Sequence, residues 1–112
     1  MDNKNLIDIV SASSKKSFIY HLHYRNKFSK QKFNAIKKAY KFYIKHQSEI
    51  DKNMQLQLRK DFINTFMHTL FLFVCDSDKD DVFKITPSLS IEEKNNIYFD
   101  IREMTDILLN LS

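Results

Sequence analysis

The sequence predicts an all-α fold, a single-domain bundle of four or five helices spanning 1–112. Three observations carry this. The 112 residues contain no glycine, a single proline (Pro87), and apolar residues recurring at steps of three and four over long stretches. Without glycine, tight hairpins lose their usual positive-φ residue, and helices joined by Asn-, Ser- and Asp-rich links are favoured. Asn takes up the left-handed positions that remain.

The elements follow in order. Asp2 or Asn3 caps a short first helix carrying Leu6, Ile7, Ile9 and Val10, and Ser11-Ala12-Ser13-Ser14 breaks it. From Lys15 to Phe28 two periods compete: Phe18, Tyr20, Leu22 and Tyr24 alternate as in a strand, whereas Phe18, Leu22 and Arg25 share a helical face. The helical neighbours and the shortage of turn residues favour helix. Ser29 caps the clearest amphipathic segment, Lys30 to Gln47, with Phe33, Ile36, Tyr40 and Tyr43 on one stripe and lysines on another.

A fourth helix starts near Asp51 and carries Met54, Leu58, Phe62, Phe66, Leu70 and Phe73 at helical spacing to about Val74, which places it near the centre of the bundle. Asp76 to Ser90 reads as the one long loop. Ser90-Ile91-Glu92-Glu93 is a capping box, and it opens a last helix with Ile97, Ile101, Met104, Leu108 and Leu111 on one stripe. The alternative is an α+β fold in which Leu70–Cys75 and Val82–Thr86 pair as a small hairpin around 70–86, because short apolar runs are ambiguous by period alone.

Charge is divided along the chain. Residues 1–60 hold fourteen cations against four anions, a net of +10, and residues 61–112 hold four cations against ten anions, a net of −6. Such asymmetry concerns partners more than fold. The absence of glycine excludes phosphate-cradling loops and a glycine nucleophile elbow. No spacing joins a nucleophile, a base and an oxyanion donor, so no catalytic residues and no enzyme activity are expected. Cys75, the single cysteine, ends an apolar run and fits a reducing compartment. No signal sequence or spanning segment is expected, and the predicted location is cytoplasmic.

Metal and cofactor are not expected. Asp76-Ser77-Asp78-Lys79-Asp80-Asp81 begins like a calcium loop, but Asp81 stands at the glycine position and Pro87 at the bidentate Glu position. His21 and His23 point to one face only in a strand, and two imidazoles are too few for a site. His46 and His68 stand alone in sequence.

Two classes of binding function remain. The first is a protein-binding module that inhibits or neutralises one protein target, a toxin or an enzyme, as the immunity proteins that accompany bacterial toxins do. Its docking surface would be acidic, built from Asp76, Asp78, Asp80 and Asp81 or from Asp100 and Glu103 on the last helix. The second is nucleic-acid binding through the lysine stripe Lys30, Lys37, Lys41 and Lys45. It is weakened by fifteen lysines to three arginines, because bidentate base reading favours arginine.

Overall fold

A computed structural model describes residues 1–111. Five helices form among them: α1 (Asn3–Val10), α2 (Phe18–Arg25), α3 (Lys30–His46), α4 (Lys52–Ser77) and α5 (Ile91–Leu109), with one short 3-10 turn at Gln47–Glu49. No strand occurs among the described residues, and the all-α bundle expected from sequence is the fold.

Each helix starts on a side-chain oxygen. Asp2, Ser17, Ser29, Asp51 and Ser90 accept hydrogen bonds from the backbone N–H of Asn5, Tyr20, Lys32, Met54 and Glu93. Glu93 completes the capping box by accepting from the Ser90 N–H at 3.0 Å. The ambiguous stretch 15–28 is helical because Ser17 caps its start and Asn26 ends it in the left-handed region, at φ 56°. Asn26 also holds the later loop: its side chain donates to the Lys84 carbonyl at 3.1 Å, and its carbonyl accepts from the Thr86 N–H at 2.8 Å.

The hairpin alternative around 70–86 is corrected. Residues 70–77 continue α4, where helical spacing buries Leu72 and Phe73 and turns Leu70 partly inward. Residues 82–86 form no ladder and pack Ile85 into the core.

Two aromatic groups stand among the aliphatic residues of the core. Phe62 is fully buried, with ring centroids 5.7 Å from Tyr43, 6.2 Å from Tyr40 and 6.1 Å from Phe66. A second group joins Phe18, Phe28 and Phe33, and Phe28 reaches Phe73. The short helix α1 packs one face against α2, α3 and α4, with Leu6 and Val10 fully buried. Thr65 of α4 donates its hydroxyl to the Val10 carbonyl at 2.9 Å, which satisfies an orphan acceptor at the end of α1.

The turn from α3 to α4 is stapled. Gln55 donates to the carbonyls of Gln47 (2.6 Å) and Ile50 (2.7 Å), and Tyr43 donates to the Gln55 carbonyl at 3.0 Å. At 1.5 Å per residue, the 26-residue α4 runs about 39 Å, most of the 45 Å long dimension of the molecule. It touches α1, α2 and α5, but its outer face is open to solvent.

Phe62 joins the aromatic side chains of α3 and α4, so Phe62→Ala is expected to cost about 3–5 kcal/mol. Chemical denaturation measures this, and a loss below about 1 kcal/mol would show that the cluster does not hold the bundle together.

Candidate functional site

The structure turns one carboxylate of the acidic loop, that of Asp76, inward. The Asp76 side chain is only 9% exposed, and its carboxylate accepts from Lys94 Nζ at 2.6 Å and from the Ile85 N–H at 2.8 Å. Burial pushes the Asp76 pKa up. The Lys94 and Ile85 hydrogen bonds and the charges of Lys94 and Lys84 outweigh it, and the carboxyl lies below its ordinary value. Asp78 accepts from the Asp80 N–H and Asp81 from the Phe83 N–H, both local turns. Lys84 donates to the Asp76 and Asp78 carbonyls at the end of α4. Asp78 and Asp80 are the exposed members. No group of three or more metal-ligating side chains assembles among the described residues.

The lysine stripe and the acidic face of the last helix lie side by side. Lys37 Nζ contacts the Asp100 carboxylate at 2.8 Å, and Lys30 reaches Glu93 at 3.5 Å. Lys41 and Glu103 line one shallow groove with Asp100. Two of the four candidate phosphate-binding lysines are therefore already paired, while Lys41 and Lys45 remain exposed. The opposed charge fields of the sequence partly cancel where α3 meets α5.

A different site emerges between α2 and α4. A cleft of about 650 Å³ is lined by Tyr20, His23 and Tyr24 from α2 and by Asp61, His68 and Phe71 from α4. Tyr20 and Tyr24 lie 4.7 Å apart, and His68 stacks on Phe71 at 6.0 Å. Because 18–25 is helical, His21 and His23 diverge by about 200°, and their pairing on a strand face does not occur. Instead His23 Nδ1 meets His68 Nε2 at 2.7 Å, across 45 residues of sequence.

One ring nitrogen of that pair must donate and the other accept, so the bond needs at least one neutral imidazole. Burial and the nearby His23 charge push the His68 pKa down. Asp61, on the same wall, is pushed up by burial, against a hydrogen bond from Gln57 and the charge of Lys60.

The cleft opens onto the outward face of α4, where Met67, Phe71 and Val74 are 44%, 59% and 67% exposed and Tyr24 of α2 is 66% exposed. On the other side of Val74 the patch continues to Leu70 and Tyr98 in a second groove. An outward helix face in a small bundle is normally polar. The sequence analysis singled out none of Tyr24, Met67, Phe71 and Val74 as a binding surface. The available signal was that Leu70 to Cys75 is continuously apolar, leaving Phe71 and Val74 off the core stripe. Cys75 lies beside it, and burial, a hydrogen bond to Asp81 and the charges of Asp81 and Asp78 push its thiol up, away from thiolate chemistry.

The chain matches no protein-family model, and no curated protein or solved structure is significantly similar to it. Among the described residues, no helix is long and apolar enough to cross a membrane.

Two titrations follow. The Asp76 pKa is lowered on folding, so its contribution to stability is complete above the ordinary carboxylate value of about 3.9 and is lost as pH falls through the lower folded value. Lys94→Met strands that carboxylate and is expected to cost about 3 kcal/mol at neutral pH and to remove this acid-linked loss. Denaturant melts of both proteins between neutral pH and about pH 2.5 check it.

His68 is likewise lowered, so its contribution is complete above about pH 6.5 and disappears as pH falls through the folded value. The thermal midpoint is expected to drop between about pH 7.5 and 5.5, and His68→Gln to flatten that slope. An unchanged slope in the variant would place the titration elsewhere.

Proposed function

We propose that this chain is a small, non-enzymatic protein-binding module that holds its partner on the outward face of α4 and the adjoining cleft. One observation carries the reading: a contiguous exposed apolar patch, Tyr24, Met67, Phe71 and Val74, on a helix face that water would ordinarily keep polar. Aromatic and methionine side chains are the types enriched at the centres of protein interfaces, where a few buried anchors supply most of the binding energy. An inhibitor or immunity-type role, in a reducing cytoplasmic setting that suits the lone Cys75, is the finer form of this proposal. In it the anchors hold the target, and the exposed carboxylates of Asp78 and Asp80 steer its approach.

Nucleic-acid binding is the weaker reading. The ion pairs of Lys30 and Lys37 leave Lys41 and Lys45 as the free part of the proposed stripe, beside the acidic residues of α5.

The test is capture on the tagged chain with and without nuclease, comparing wild type with Phe71→Glu and with Lys41→Gln/Lys45→Gln. The expected result is a stoichiometric protein that survives nuclease, is lost with Phe71→Glu and is kept by the lysine variant. Recovery of nucleic acid that only the lysine variant abolishes would reverse the reading.

A further inference from the structure

Resting on the reading that the outward face of α4 binds protein, we propose that this face also pairs with a second copy of the chain, α4 antiparallel to α4. Lys60, Asn64, Met67, Phe71, Val74 and Asp78 are all exposed. At about 100° per residue they fall within roughly 40° of one line along the helix.

Reversed, that line complements itself at two of its three pairs, the charged ends and the apolar centre. Reversed about the level of Thr69, Lys60 stands opposite Asp78, Asn64 opposite Val74, and Met67 opposite Phe71. A two-fold interface brings residue i of one copy against j of the other and j against i, so it needs a surface that complements itself. Here a cation and an anion close the two ends, about 27 Å apart at 1.5 Å per residue. The apolar centre between them, Met67 to Val74, carries no charge on its outward positions. Rotating one copy antiparallel places each Lys60 beside the other copy's Asp78, whereas a parallel pairing would set like charges together at both ends.

The area is adequate. Taking roughly 200 Å² for each side chain, the exposed fractions of Tyr24, Met67, Phe71, Val74 and Tyr98 (66%, 44%, 59%, 67% and 39%) leave about 550 Å² of largely apolar surface per copy. Two copies face to face remove about 1,100 Å² from water, just above the roughly 1,000 Å² floor for a specific interface. An interface of that size is reversible, so a target protein competes with the second copy for the same face.

Sedimentation velocity on the full chain across the micromolar range tests this, alongside the capture experiment above. The expected result is a concentration-dependent species of twice the chain mass, weakened at least about tenfold by Phe71→Glu. Phe71 is exposed, so the variant keeps its helical circular dichroism, and Phe71→Ala provides a milder second variant. Lys60→Glu alone and Asp78→Lys alone are each expected to weaken association about three- to tenfold, and the double variant to restore it.

A wild type that stays monomeric, a dimer indifferent to Phe71, or a charge swap that fails to restore association would each overturn the proposal. If the chain is monomeric yet captures another protein through Phe71, only self-association is lost. If it is monomeric and captures nothing, the protein-binding reading falls as well.

Discussion

The ion pair between Asp76 and Lys94 fixes how α5 joins α4. Asp76 lies at the close of α4 and Lys94 in the first turn of α5, and the carboxylate also holds the Ile85 N–H of the loop between them. A charge this sheltered is tolerable because the Lys94 ammonium and the Ile85 N–H are both aimed at it. With that point fixed, α5 returns along one side of α4, its far end reaching Arg59, which donates to the Leu111 carbonyl. Helices α1 and α2 cover other sides of α4. What remains is the strip from Lys60 to Asp78, so a buried salt bridge at one end helps decide which apolar residues stay in water.

Part of the charge of this protein is paired within the molecule. The lysines of α3 and the carboxylates of α5 are separated by some sixty residues of sequence, as in the Lys37–Asp100 contact, yet they are neighbours in space. Exposed pairs of this kind add little stability. They do reduce the outward field that a linear count of charges suggests, and they move attention from the charged faces to the uncharged one.

Most of the fold was legible in the sequence because its signals are local. Asp2, Ser17, Ser29, Asp51 and Ser90 cap the helix starts, and four of these were readable directly from the residues that follow them. The buried stripes of α3 and α5 repeat at three and four. The stretches 15–28 and 70–86 were ambiguous because short apolar runs satisfy both periods, and packing decided them. The candidate site was less legible. Asp76 and Lys94, His23 and His68, and Lys37 and Asp100 are each brought together by tertiary structure, over separations of 18, 45 and 63 residues. Composition showed four acidic residues in one loop but not that Asp76 faces inward. It showed ten phenylalanines but not that Phe71 faces outward.

The absence of glycine bears on how the chain reaches this state. Every reversal is made by residues with a β-carbon, and among the described residues the single left-handed position is held by Asn26. An unfolded chain without glycine explores fewer backbone states and surrenders less entropy on ordering. Its helix starts are marked locally, and most of its links are short, so few distant contacts must be found by search. These are the conditions under which helical domains fold within microseconds to milliseconds. The long link from Asp78 to Ser90 is the exception.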